Sequence, residues 1–470
     1  MPKKFWQFRN QAADSAELLL YGDISDSSWW GDEVTPKTFA DELNALGPLT
    51  SLTVRINSGG GDVFAAQTIG NLLEQHTAQV TARIDGLCAS AATIIACHCD
   101  KVVAANDSTY MIHPVRMGIF DFADAVTLQQ YIGALNNEVL TAARGQMGPC
   151  KACPVCDGRA CRNTVPGPGA KGVGDVAIRN YSAWQNVRVN MDTICESGEP
   201  DTTLEMFGHS YRIPVFAGPV GAMQLHYGTK YTDLEYNDIL VPACHDAGIL
   251  AFTGDGTNPA VMVGACKAVK ANAGFGIPTV KPWDAGTIAE KMALVRATGA
   301  FAVAMDIDAA GLPFLKNLNP PAGSKTVEEL RGIIADAKVP FIIKGVMTAR
   351  GAQKAVEAGA SAIVISNHGG RVLDQVPATA EVLPEIAEAV NGRCKILVDG
   401  GIRTGVDVFK ALALGADAVL IARPFVNAIY GAGAQGVQVY VDKLAGELAD
   451  TMSMCGAHSL AEITRNMVRV

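Results

Sequence analysis

Short apolar runs recur along the C-terminal two thirds of the chain, each closing in polar residues or glycine. Eight stand in order: PVFAGPVG (214–221), GILAFTGDG (248–256), GIPTVKP (276–282), FAVAMDID (301–308), PFIIKGVMT (340–348), AIVISNHGG (362–370), KILVDGGIR (395–403) and AVLIARPF (418–425). Between them lie stretches such as ARGAQKAVEAGA and RTGVDVFKALALGA, whose apolar residues recur at helical spacing. Eight consecutive strand–helix units predict an α/β fold of the (β/α)8 barrel type, and roughly 210 residues suits one. In such barrels chemistry gathers at the C-terminal strand ends, where Lys344, His368, Asp399, Arg403 and Arg423 fall. Residues 1 to about 137 predict a smaller α/β domain. There SLTVRINSGGGDVFAAQTIGNLLEQ reads as strand, glycine turn and amphipathic helix, and AQVTARIDGLCASAATIIACHCDKVVA repeats the plan. The chain thus divides into 1–137, a Cys- and Gly-rich lead-in at 138–209, and the barrel at 210–470.

Composition agrees with this plan and narrows the partners. A length of 470 residues suits two or three domains. Apolar content of 49% with only 6% aromatics and 48 glycines suits close-packed α/β layers. The net charge of −9 provides no footprint for nucleic acid. No run reaches the roughly 18 apolar residues of a membrane span. The opening MPKKFWQFRNQAADS lacks the apolar core of a signal peptide, so a cytoplasmic location is expected. Twelve cysteines there are expected to be reduced, as core residues or metal ligands.

The strand ends carry the candidate chemistry. Gly400 and Gly401 follow strand seven with Arg403 just beyond, and Ala422 and Arg423 follow strand eight. Phosphate sites in these barrels often form there, from backbone N–H groups and a helix N-terminus, and two guanidiniums add charge-assisted bonds. The plainer alternative is ordinary ion-pair arginines. Lys344 in a barrel mouth needs an anion, either a ligand or a salt bridge to Asp308 or Asp399. His368 suits proton abstraction, Arg371 suits capture of a carboxylate, and Asp308 is placed to orient the imidazole.

At SNHGGR, VDGGIRTGVDVFKALALGADAV and ARPF the chain resembles the FMN-dependent 2-hydroxy-acid oxidases and dehydrogenases, over roughly residues 138–470. The resemblance implies that His368 takes the substrate hydroxyl proton while hydride passes to flavin N5. It implies that Arg371 holds the carboxylate and Asp308 supports His368. Lys344 would stabilise the reduced flavin, Asp399 hold the ribityl chain, and Gly401, Arg403 and Arg423 bind the phosphate, with Gly400 and Ala422 also at the cofactor. The implied partner is a small 2-hydroxy acid, with an electron acceptor that the sequence leaves open and a homo-oligomer as the expected assembly. Two positions depart from the family pattern. Lys281 stands about where a substrate-contacting Tyr is usual, and Asp306 replaces the usual Thr of strand four.

GPCKACPVCDGRAC spaces Cys150, Cys153, Cys156 and Cys161 as an iron–sulfur cluster or tetrathiolate zinc would need, though a loop of redox-active thiols gives the same pattern. In the N-terminal part INSGGGDVFAAQTI, IDGLCASAATIIA and YMIHP resemble the Clp-type serine peptidases. That resemblance implies Ser90 as nucleophile, His113 as its base and the turn at Gly59–Gly61 as an oxyanion hole. It fades near residue 137, so the domain reads as shortened. Peptidase activity, or a role in assembly alone, is the alternative to the barrel's oxidation chemistry.

Overall fold

The computed structural model describes residues 4–12, 14–22, 24, 36–105, 108–111, 122–312, 315, 317 and 322–470. The chain forms two units, Met1–Asp124 and Ala125–Val470.

The first unit is built on a mixed sheet. Strands Trp6–Ala12 and Ser15–Tyr21 pair antiparallel, and Ser51–Ser58, Gln79–Ala89 and Lys101–Ala104 continue it in parallel. A short strand, Thr109–Met111, pairs with the end of Gln79–Ala89. Along Ser51–Ser58 every second side chain points into the core, so Leu52, Val54 and Ile56 are fully buried. Helix Val63–Glu74 starts cleanly because the Asp62 carboxylate accepts the Ala65 N–H at 2.6 Å. Helix Ala91–Cys97 follows strand Gln79–Ala89 with Ser90 alone between them.

In the second unit eight parallel strands close into a barrel: Val215–Ala217, Leu250–Thr253, Ile277–Val280, Val303–Asp306, Phe341–Val346, Ala362–Ile365, Lys395–Asp399 and Ala418–Ile421. Each pairs with the next, and the first closes on the eighth through Val215↔Val419. These are the eight predicted runs. They read as continuous apolar stretches because both faces are covered. Phe216, Phe252, Ala304, Ile342, Val364 and Leu397 fill the interior, while Ile343, Ile363, Ile365 and Val398 pack outward on the helices. A hairpin of Leu204–Met206 and His209–Tyr211 adds Leu204, Met206 and Tyr211 to the interior cluster.

Strand four ends earlier than the run FAVAMDID suggests. It stops at Asp306, and Ile307–Gly311 turns into a 3-10 helix. That turn packs on Gly345, whose φ is +105° and whose hydrogen leaves room for Asp308. A β-carbon there would lie 2.6 Å from the Asp308 side chain. Among the described residues no helix is long and apolar enough to cross a membrane.

Candidate active site

Register brings the first charges together. Asp306, the last residue of strand four, pairs laterally with Lys344 of strand five. The Lys344 ammonium donates to Asp306 Oδ1 at 2.9 Å and lies 3.7 Å from Asp399 Oδ2. Lys281, just past strand three, reaches Asp306 Oδ2 at 3.4 Å. The two departures from the family pattern therefore form an ion pair with each other. Burial opposes ionisation of Asp306, but His368, Lys344 and Lys281 outweigh it and hold the carboxyl well below its ordinary range. Burial likewise opposes the charge on Lys344, and Asp306 and Asp399 overcome it and raise the ammonium's pKa. Asp399 is shifted upward, since its burial exceeds the relief from Lys344.

His368 sits just beyond strand six, in a 3-10 turn His368–Gly370 with φ of +56° at the histidine itself. Its Nδ1 lies 3.1 Å from Asp308 Oδ1 and 3.6 Å from Asp306 Oδ1. A carboxylate only accepts, so Nδ1 is the donor in the Asp308 contact and Nε2 is the ring nitrogen outside it. The turn is held from behind by a buried amide pair. Asn180 Nδ2 donates to Asn367 Oδ1 at 2.8 Å, and Asn367 Nδ2 donates back to Asn180 Oδ1 at 2.9 Å. Sequence reading did not single out Asn180, although it lies in IRNYSAWQNVRV, a stretch similar to the family's approach to the first barrel strand and here largely within helix Asp175–Asn186. Trp184, from the same helix, donates to the Gly400 carbonyl at 2.8 Å. Gly401 has φ of +90°, and a β-carbon there would lie 2.2 Å from the Asn180 carbonyl oxygen.

Arg371 Nη1 donates to the carbonyls of Gly167 and Gly169. Its neighbour His226, also unpredicted, accepts the Gly167 N–H at Nδ1 over 2.9 Å. Burial and then the Arg371 charge push the His226 pKa down to about 3, so the ring is neutral at pH 7. Lys281, Lys344, His368, Arg371, Asp399, Arg403 and Arg423 all line one cavity at the strand ends, together with Gly400, Gly401 and Ala422.

Two buried carboxylate oxygens, Asp399 Oδ1 and Asp308 Oδ2, have no hydrogen-bond partner among the described residues. An unmet buried acceptor costs about 1–3 kcal/mol, so Asp399 in this cavity suits a ligand hydroxyl. Arg403 and Arg423 beyond it suit a terminal phosphate. The donor set therefore fits a flavin mononucleotide.

The four run cysteines do not gather around a single ion as tetrathiolate zinc requires. Among the described residues no three of their sulfurs come within 4.8 Å of one another. They take other partners instead. Cys150 Sγ lies 3.6 Å from Asn427 Oδ1, Cys156 Sγ 3.8 Å from Arg403 Nη2, and Cys161 Sγ 3.7 Å from Arg423 Nη1. Guanidiniums thus face two of the four thiols. Burial opposes ionisation of Cys156, but Arg423 and Arg403 outweigh it and hold the thiol below its ordinary value.

In the first unit Ser90 has φ of +54° and ψ of −126°, between the end of a strand and the start of helix Ala91–Cys97. Gly60 packs against it so closely that a β-carbon on Gly60 would lie 2.5 Å from Ser90 Cβ. His113 lies outside the described residues.

Comparison with known proteins agrees with both halves. The model of the FMN-dependent dehydrogenase family matches residues 168–315 and 314–470, and that of Clp protease matches residues 11–141. A 4-hydroxymandelate oxidase of Amycolatopsis orientalis is 32% identical over 359 residues, covering 65% of this chain and 95% of that protein. A peroxisomal (S)-2-hydroxyacid oxidase of Arabidopsis thaliana is 49% identical over 145 residues, and there the chain spans only 39% of the relative's length. A crystal structure of mandelate oxidase superposes with a TM-score of 0.58 at 25% identity, covering 71% of this chain and 97% of that one.

Proposed function

We propose that this chain, which belongs to the FMN-dependent dehydrogenase family, oxidises a small 2-hydroxy acid to the 2-oxo acid. The observation that carries the reading is the His368–Asp308 contact. It fixes the proton on Nδ1 and leaves Nε2 as the ring atom that can take one. Arg371 binds the substrate carboxylate through the N–H groups that its two carbonyl contacts leave over. Asp308 stabilises the imidazolium once His368 has taken the hydroxyl proton. FMN, when bound, supplies the acceptor for the hydride. Lys344 would meet its ring, Asp399 would accept from a ribityl hydroxyl, and Arg403 and Arg423 would hold the phosphate with Gly400, Gly401 and Ala422 alongside. Lys281 and Asp306 shape the substrate end of the cavity, so the substrate differs from those of members with an uncharged pair there. Anaerobic mixing of the flavin-loaded protein with a panel of 2-hydroxy acids is the test. Bleaching of the flavin absorbance by at least one of them is expected. A protein that binds FMN and is bleached by none overturns the reading.

A second reading, serine peptidase activity in the first unit, is favoured by the backbone at Ser90. A non-glycine residue in that conformation costs on the order of 1–3 kcal/mol, and such strain clusters at functional sites. The glycine at position 60 is what permits the turn to approach it. A fluorophosphonate probe is expected to label the protein and to lose its target in Ser90→Ala. Equal labelling of both proteins would remove Ser90 as nucleophile.

A further inference from the structure

The cysteine run has no part in the proposed reaction, yet it touches the phosphate end of the site. Arg403 lies between two cavities. It lines the one at the strand ends, and it also lines a second one together with Cys153, Cys156, Gln185 and Tyr440. Its guanidinium is tied to the run: Nε donates to the Cys156 carbonyl at 2.8 Å, and Nη2 lies 3.8 Å from Cys156 Sγ. Cys156 is half-buried and opens on the second cavity, not on the first. A guanidinium beside a thiol favours its nucleophilic thiolate.

We propose that Cys156 is a thiol–disulfide exchange site whose modification loosens FMN through Arg403. The Cys156 thiolate attacks one sulfur of a low-molecular-weight disulfide. A protein–reagent S–S bond forms, the reagent's own S–S bond breaks, and its other half leaves as a thiolate that collects the proton Cys156 gave up. Oxidation of Cys156 is matched by reduction of that departing half. The added group occupies the second cavity beside Arg403 and removes the sulfur's negative charge. The guanidinium then no longer keeps the position from which it bonds a phosphate. By thermodynamic reciprocity, bound FMN disfavours the modification by the same factor.

The inference rests on the reading that Arg403 takes the flavin phosphate, and the test separates the two. Full-length protein stripped of flavin is treated with oxidised glutathione. Peptide mass mapping locates the adduct, and fluorescence quenching measures FMN affinity before treatment, after it, and after reduction with dithiothreitol. The expected result is an adduct on Cys156, FMN binding weakened about tenfold as for one lost charge-assisted contact, and full recovery on reduction. FMN binding by Cys156→Ser is expected to be insensitive to glutathione disulfide. An adduct confined to other cysteines, or a Cys156 adduct that leaves FMN affinity unchanged, overturns the proposal and leaves the cofactor reading standing. Failure of the untreated protein to bind FMN overturns both. Because the treated and reduced wild-type samples are compared directly, the result stands even where the serine variant does not fold.

Discussion

His368→Ala is expected to slow reduction of the bound flavin by a 2-hydroxy acid roughly 10²–10⁴-fold, the range that a general base contributes, while FMN stays bound. The separation of the two effects follows from where the contacts lie. The residues proposed for the phosphate and ribityl chain come from strands seven and eight and the loops after them, whereas His368 stands beyond strand six. Removing the imidazole takes away Nε2 and leaves Arg403, Arg423 and Asp399 in place. Arg371 is anchored independently on Gly167 and Gly169, so substrate affinity falls less than the rate. Stopped-flow absorbance with the acid found in the panel would check this. A variant that is still bleached at the wild-type rate would show that another group takes the proton. His368→Gln is a useful companion, since its amide restores a donor to Asp308 but cannot act as a base.

Asp306→Ala is expected to destabilise the barrel by about 3–5 kcal/mol, the cost of removing one partner from a buried ion pair. Asp306 holds two buried ammonium groups, Lys344 at 2.9 Å and Lys281 at 3.4 Å. Without it Lys281 has no ion-pair partner among the described residues, and Lys344 keeps only Asp399 at 3.7 Å. Urea denaturation would read the loss, and a loss under about 1 kcal/mol would sink the account, since that is what an exposed pair contributes. Adding Lys281→Met is expected to recover part of it, because the uncompensated charge goes with it. The pH dependence has a definite sign. The folded-state pKa of Asp306 is lowered, so its contribution is fully present above the ordinary carboxyl value near 4 and is lost as the pH falls further toward the folded value. The variant's stability therefore approaches that of the parent only in strong acid.

The barrel was legible because its chemistry and its packing speak the same language. Parallel strands buried on both faces must be apolar throughout, so eight such runs with polar ends stood out. His368, Arg371 and Lys344 were visible for the same reason: each breaks an apolar run at its end. Single residues inside helical patterns were not visible. Asn180 and His226 act through contacts to loops far along the chain, at Asn367 and Gly167, and their own neighbours do not point to those contacts. The pairing of Lys281 with Asp306 was hidden differently. Each looked like an isolated departure, and only lateral proximity of strands three, four and five shows that one answers the other. The cysteine spacing left several outcomes open, because spacing fixes which sulfurs can meet, not what else faces them; arginines from beyond strands seven and eight face two of them.

The amide pair of Asn180 and Asn367 carries one more consequence. Its two exchanged hydrogen bonds are made inside the fold, without help from any bound molecule. The conformational entropy of the loop bearing His368 is therefore surrendered when the chain folds, not when substrate arrives. On the proposed reading each encounter with substrate meets His368 already in position, and none of the substrate's binding energy is diverted to ordering it.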